Sequence, residues 1–167
     1  MIELTTLHEA LVGEIRDLYG AEKQLLKALA RMAPAARTAT VRDVVALLLT
    51  DTSNQLWRLE EIFGLLDEDI TSRHCLGMAR ILDSRRDVPS YKHAGAADAV
   101  VALTAQRAAH YLLAVYSTAA ARARALGYFD VAQLLHESLD EATATGQRLL
   151  AVAPVTASAS LAAEARG

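Results

Sequence analysis

The chain has 167 residues, of which 53% are hydrophobic and 22% are charged, and this composition is typical of one soluble globular domain. Its formal net charge of −3 argues against a protein whose main partner is a nucleic-acid backbone, and no apolar run is long enough to span a membrane. A single cysteine excludes an intrachain disulfide, and the N-terminal residues lack the basic segment of a secretory signal, so we expect a cytoplasmic protein.

Residues 1–66 predict two long helices joined by a short connection. Thr6 and Glu9 form a capping box that begins the first helix, and Pro34 ends it. A second helix is predicted after Thr40, with Asp43 in its first turn, where a negative charge suits the helix dipole. Apolar residues at helical spacing define the core face of both helices: Leu7, Leu11, Ile15, Leu18, Leu25, Leu29, Met32, Val41, Val45, Leu48, Leu59, Ile62 and Leu66. The short connection favours an antiparallel hairpin.

The second half of the chain predicts another helical hairpin after a long connection. The connection contains a short helix near residues 75–86, because structureless loops of this length are rare in compact domains. A third helix is predicted from about 96 to 125, where Gly127 follows it in a position typical of a helix end. A fourth helix is predicted from about 130 to 152, just before Pro154.

Two helical hairpins joined by a long crossover predict an all-α protein with a ferritin-like four-helix bundle. An up-down-up-down bundle would need three short loops, and the second connection here is long. The bundle is expected to span residues 1–152. Residues 153–167 are expected to form a C-terminal tail that is disordered or folds as a short helix on a partner.

Polar residues interrupt the predicted core faces at mid-height on all four helices. They are Glu22 on the first helix, Asp51, Thr52 and Gln55 on the second, Arg107 and His110 on the third, and Ser138, Glu141 and Thr145 on the fourth. The third-helix face is predicted to run through Val100, Leu103 and Ala114. Mid-height positions share one layer, which is where bundles of this architecture place metal ligands. An unpaired buried carboxylate costs several kcal/mol, so Glu22 indicates a functional or ancestral site.

The histidines do not complete a metal site of the known type. A carboxylate-bridged di-iron or di-manganese bundle needs a Glu from two helices and a Glu-x-x-His motif from each of the other two. The residues three positions before the five histidines are Thr5, Thr71, Ser90, Arg107 and Gln133, so this motif does not occur. Cys-x-x-Cys pairs, glycine-rich phosphate loops and Gly-x-Ser-x-Gly elbows do not occur either.

Motifs along residues 4–150 resemble the YciE/YciF-type ferritin-like proteins of bacteria. They are Glu14, Asp17-Leu18-Tyr19 and Ala21-Glu22-Lys23-Gln24-Leu25, then Gln55, Arg58-Leu59-Glu60 and Phe63, then Cys75, Gly77-Met78 and Asp83, then His110-Tyr111, Ala114 and Tyr116, and finally Leu134-Leu135, Glu137, Leu139, Glu141 and Leu149. The resemblance implies a ferritin-like bundle, a dimer, a link to stress responses and a site for two metals.

The sequence departs from that family where the metal ligands are expected. Similar proteins carry a carboxylate at the positions of Ala109 and Leu112 and a second glutamate at the position of Ala142. They also carry His-x-Glu-Glu-Thr-Glu on the second helix, where this chain has Leu48 and Thr50-Asp51-Thr52-Ser53. The candidate metal ligands that remain are Glu22, Asp51, Glu141 and His110.

Three interpretations follow from these departures. The first is a non-enzymatic bundle that has lost its metal site, needs no cofactor and lacks ferroxidase activity. The second is a protein that binds one iron or manganese ion through Glu22, Asp51, Glu141 and His110. The third is a binding module for a small apolar ligand in the space left at Ala109, Leu112 and Ala142.

A homodimer is also predicted from the sequence. The small residues Ala119-Ala120-Ala121 would let another helix approach closely, and Met78, Ile81 and Leu82 of the crossover would add apolar surface. No protein partner other than a second copy is identified.

Overall fold

A computed structural model describes residues 4–83 and 94–165. It has five α-helices, which we number in chain order: α1 (Leu4–Met32), α2 (Ala39–Leu65), α3 (Leu76–Asp83), α4 (Ala94–Ala125) and α5 (Phe129–Glu164), with a short 3-10 turn at Ala33–Ala35. The described residues contain no strand, and none of their helices has an apolar stretch suited to crossing a membrane. The predicted all-α bundle of two hairpins, with a short helix in the crossover, is confirmed.

The four long helices pack around one apolar core. α1 contacts α2 and α4, and α5 contacts the same two helices. The predicted core faces of α1 and α2 are confirmed over most of their length, since Leu11, Ile15, Leu18, Leu59 and Ile62 are almost completely buried. The short helix α3 packs against α1 and α4.

Several helix ends differ from the predicted ones. α2 begins at Ala39, where Thr38 is the N-cap and its Oγ1 accepts a hydrogen bond from the backbone N–H of Val41 at 3.4 Å. Asp43 therefore lies beyond the first turn.

The end of α4 agrees with the prediction, since Gly127 follows this helix with a φ of +82°, which confirms its predicted role at a helix end. The short helix predicted over 75–86 ends at Asp83, and residues 84–86 lie outside the described residues.

The predicted end of the last helix near residue 152 is wrong. α5 continues through Pro154 as far as Glu164, so the backbone of the predicted tail extends the bundle helix. A proline inside a helix weakens it, but the residues that follow are rich in alanine, the strongest helix former.

The core face predicted for the third long helix is wrong, because the residues that are buried on α4 lie about one position later in the chain than the predicted ones. Leu103 is 44% exposed, and Arg107, His110 and Ala114 are also exposed. The buried face consists of Val101, Ala105, Ala108, Leu112, Tyr116, Ala119 and Ala123. Alanines surround this helix on most sides, so hydrophobic periodicity marks its core face only weakly.

A buried carboxylate of α4 binds the backbone just before α2. Asp98 is completely buried, and its Oδ1 and Oδ2 accept hydrogen bonds from the backbone N–H groups of Arg37 at 2.6 Å and Thr38 at 2.9 Å. These N–H groups have no partner inside the helix, so the contact joins the two hairpins and satisfies the helix start.

We expect Asp98→Ala to destabilise the protein by about 2 kcal/mol, because two partly buried N–H groups lose a charged acceptor. Asp43→Ala is the matched control, since Asp43 is exposed on α2, and it should change the unfolding free energy by no more than about 0.5 kcal/mol. Thermal or urea unfolding measures both variants. Equal stability of the two would contradict the role assigned to Asp98.

Candidate functional site

The central polar layer is built around Glu22 of α1. Its side chain is completely buried, and Oε1 accepts a hydrogen bond from the Tyr116 hydroxyl of α4 at 2.8 Å. Oε2 is buried without a hydrogen-bond partner in the described chain. Arg107 and His110, which the sequence analysis placed on the core face of the third helix, are both exposed and do not contribute to this layer.

The environment of Glu22 favours its protonated form. Burial raises the pKa of Glu22 to about 8, and the hydrogen bond from Tyr116 opposes this rise only in part. The nearby carboxylates of Glu141 and Asp51 raise this pKa further. Burial also raises the pKa of Tyr116 well above its usual value, so its hydroxyl remains a donor. Near neutral pH the α1–α4 pair is therefore largely uncharged.

The second carboxylate of the layer, Asp51 of α2, is bound from α5. The Thr145 hydroxyl donates to its Oδ2 at 2.5 Å, and both residues are buried. Burial raises the pKa of Asp51, while the hydrogen bond from Thr145 acts in the opposite direction. Asp51 is thus held by a neutral donor.

The third carboxylate, Glu141 of α5, forms a bidentate ion pair with Arg58 of α2. The two guanidinium nitrogens of Arg58 lie 2.5 and 2.8 Å from Oε1 and Oε2 of Glu141. The Gln55 amide also donates to Oε2 of Glu141 at 3.3 Å, and Arg58 Nε lies 3.4 Å from Glu137. The hydrogen bond to Glu141 raises the pKa of Arg58. Because a planar guanidinium matches both carboxylate oxygens, this pair neutralises Glu141.

Three of the four predicted ligands belong to this layer and the fourth does not. The charges of Asp51 and Glu141 act on Glu22, which places these carboxylates near one another. His110 is exposed instead, and its Nδ1 lies 2.8 Å from the backbone oxygen of Gln106, one turn earlier on the same helix. The predicted position of His110 on the core face is therefore wrong.

The residues present do not fit a dinuclear metal site. Ala109, Leu112 and Ala142 are buried, so the positions where similar proteins carry carboxylates face the core and offer no ligand atoms. Within residues 4–83 and 94–165, no three His, Cys, Asp or Glu side chains come together in a way that could hold a metal ion.

Unused hydrogen-bonding capacity remains on the α1–α2 side of the layer. Thr52 and Gln55 are buried, and Thr52 Oγ1 and Gln55 Oε1 have no hydrogen-bond partner in the described part of the chain. Glu22 Oε2 on α1 likewise lacks a partner there, and buried oxygens of this kind can accept from a donor or bind a hard cation.

Sequence reasoning about the site missed the roles of Tyr116 and Arg58. Tyr116 lies four residues after Leu112 on the true core face of α4, so a correct helical register would have identified it. Arg58 follows Asp51 and Gln55 at steps of four and three, which places all three on one side of α2.

Comparisons with known proteins agree with this fold. A family described as a domain of unknown function, DUF892, matches residues 6–162. The chain is 30% identical to protein YciF of Escherichia coli strain K12 over 150 residues, which cover 89% of this chain and 90% of the relative. The crystal structure of that E. coli stress protein matches with a TM-score of 0.84, 28% identity, and coverage of 95% of this chain and 99% of that chain.

Two further solved structures have the same fold. YcfI from Rhodopseudomonas palustris matches with a TM-score of 0.82 and 27% identity, over 89% of this chain and 95% of that chain. A protein from Xanthomonas campestris matches with a TM-score of 0.71 and 19% identity, over 95% of this chain and 98% of that chain. At 19% identity the last comparison supports the fold alone.

Proposed function

The chain belongs to the DUF892 family, and from that premise we propose that it is a stress-associated structural bundle protein of the cytoplasm, with a degenerate di-metal site and no ferroxidase activity. The association with stress rests on its similarity to the E. coli stress protein YciF. In this proposal the protein is not an enzyme, needs no cofactor and acts through its surface.

The observation that carries this proposal is that each surviving carboxylate already has a donor from the protein itself. Tyr116 binds Glu22, Thr145 binds Asp51, and the Arg58 guanidinium binds both oxygens of Glu141. Ferroxidase chemistry in such bundles depends on several carboxylates that bridge two ions. Here one carboxylate is paired with a fixed cation, and the raised pKa of Glu22 favours its neutral form.

Ferrous iron added to the purified protein in air-saturated buffer should therefore not be oxidised faster than in buffer alone. Oxygen consumption, followed with an electrode, measures this directly. The double variant Ala109→Glu with Leu112→Glu restores carboxylates to the core face of α4, and we expect it to bind ferrous iron more tightly than the wild type. Rapid oxygen uptake by the wild type that Glu22→Gln abolishes would contradict the proposal.

A second candidate function is binding of a single iron or manganese ion in a reduced site. The buried oxygens of Glu22, Thr52 and Gln55 that lack partners in the described chain favour it, because oxygen atoms are the ligands that hard cations prefer. Metal analysis of protein purified without chelator, combined with thermal melts in the presence and absence of chelator, separates the two. We expect no stoichiometric metal and no effect of chelator. A stoichiometric ion that is lost in Glu22→Gln would support the second candidate.

A further inference from the structure

The outer side of α2 carries an exposed tryptophan. Trp57 is 64% exposed, although the large indole ring of a tryptophan is mostly buried in typical proteins. Leu65, about two turns later on the outer side of the same helix, is 47% exposed. Gly64 beside it faces open space, since a Cβ atom there would meet nothing within 4 Å. The described part of the chain therefore leaves this apolar face uncovered.

The neighbours of Trp57 on α2 show why the bundle does not cover it. On one side, Arg58 reaches α5, where its guanidinium binds Glu141. On the other side, Glu60 reaches α1, where its Oε1 accepts a hydrogen bond from the Tyr19 hydroxyl at 2.7 Å. Trp57 lies between these two directions on the helix surface, so it points away from both neighbouring helices.

The same face and the turn that follows it are acidic. Glu61, one turn after Trp57, and Asp67 and Asp69, just after α2, are exposed, and none of these side chains forms an ion pair or hydrogen bond with a described residue. The last turn of α2 has no basic residue. Because the negative end of the helix dipole lies there, carboxylates at this end oppose the stability of the helix. Charges that a fold does not need are typical of a functional surface.

The nearby basic side chains bind other carboxylates. Arg16 pairs with Glu68 at 2.9 Å, and Arg73 Nε lies 3.6 Å from Asp17. Arg58 is bound to Glu141, as described above. These three cations therefore leave the negative charge of the outer α2 face without compensation.

We infer that the outer face of α2, from Trp57 to Asp69, docks a basic amphipathic helix of a partner protein. Trp57 and Leu65 lie about 12 Å apart along α2, so apolar residues about two turns apart on the partner helix would cover both. A lysine or arginine of the partner would lie between the carboxylate of Glu61 and the ring of Trp57, since both attract a cation. The inference rests on the proposed function, in which the protein acts through its surface, and it identifies that surface.

Charge complementarity determines the kind of partner. A second copy of this face would bring the same carboxylates against one another, and an anionic membrane or a nucleic acid would be repelled in the same way. An uncharged apolar helix would cover Trp57 but would also desolvate Glu61 without pairing it. A basic amphipathic helix satisfies both the ring and the carboxylates.

The test uses the fluorescence of Trp57, which is the only tryptophan of the chain and therefore reports on this face alone. The probe is a synthetic peptide of about 18 leucines and lysines, with the leucines on one helical face. Titration with this peptide should shift the emission of Trp57 to shorter wavelength and reduce its quenching by acrylamide, and both effects should saturate. A matched peptide with glutamate in place of lysine should cause neither effect.

Variants separate docking at this face from a general attraction between opposite charges. Glu61→Lys should raise the Kd of the labelled basic peptide, measured by fluorescence anisotropy, about tenfold. Trp57→Ala should raise it by a similar factor, because a tryptophan that becomes buried is a typical anchor of an interface. Asp43→Lys is the matched control, since Asp43 is exposed on α2 about 21 Å before Trp57, and it should leave the Kd unchanged.

Circular dichroism establishes that each variant keeps its helices. An emission that the basic peptide does not change, or the same Kd for the wild type and Glu61→Lys, would overturn the inference. An emission that shifts with protein concentration alone would identify a second copy as the occupant, and one that shifts only with phosphatidylglycerol vesicles would identify a membrane; either result would overturn it as well. Oxygen consumption tests the proposed absence of ferroxidase activity separately, so failure of one proposal is distinguishable from failure of the other.

Discussion

Gly20→Ala should lower the melting temperature by about 10 °C, corresponding to a loss of about 3 kcal/mol or more. Gly20 lies in the interior of α1, where the crossover backbone passes directly over it. A Cβ atom at this position would overlap the carbonyl oxygen of Arg73 and would lie 2.9 Å from its carbonyl carbon. Arg73 is also tied to α1, because its backbone N–H donates to the carbonyl of Arg16 at 3.0 Å. The atoms that the added Cβ would meet belong to the backbone of Arg73 and not to a flexible side chain, so they cannot easily move aside.

Gly13→Ala is the matched control in the same helix. A Cβ at Gly13 would make only an ordinary contact, 3.7 Å from the side chain of Arg73. This variant should be as stable as the wild type or up to about 1 kcal/mol more stable, because alanine favours the helix. Thermal unfolding of both variants measures the difference. Similar melting temperatures for the two would show that the crossover does not approach α1 at Gly20.

Glu22→Gln should remove a large dependence of stability on pH. Burial raises the pKa of folded Glu22 from 4.5 to about 8, so the folded state holds a proton that the unfolded state releases. The stability contributed by this proton is fully present below pH 4.5 and is lost as the pH rises through about 8. At about 1.4 kcal/mol per pKa unit, the loss amounts to several kcal/mol.

The variant and the wild type should therefore be similarly stable near pH 4.5, and the variant should be the more stable by several kcal/mol near pH ~9. Glutamine keeps an oxygen that accepts the Tyr116 hydrogen bond and has no charge to desolvate. Urea unfolding at a series of pH values, with chelator present, gives the two profiles.

Glu61→Gln, an exposed change on α2, is the control and should leave the pH profile as it is in the wild type. The opposite sign, with Glu22→Gln less stable than the wild type at neutral and alkaline pH, would show that Glu22 is ionised and paired. If chelator lowered the wild-type stability by the same amount, the partner would be a metal ion.

The fold class follows from the amino-acid sequence alone, because helix formation and burial of an apolar face depend on local spacing. Local signals located several helix ends to within a few residues: α2 is predicted after Thr40 and begins at Ala39, and Gly127 follows α4 as predicted, although α5 continues to Glu164, well beyond its predicted end near residue 152. The same spacing identified Glu22 as a buried carboxylate, since a charged residue in the middle of a leucine stripe has no local explanation.

The groups that meet across helices, in contrast, could not be identified before the packing of the helices was known. α4 is so rich in alanine that its periodicity did not distinguish the face of Tyr116 from that of His110, and contact with α1 selects the former. The partners of Asp98 and Gly20 lie 60 and 53 residues away in the chain. Arg58 and Glu141 come together only when α2 and α5 pack. Helical periodicity describes one helix at a time, whereas these contacts depend on the rotation and height of two helices together, which packing of the whole core determines.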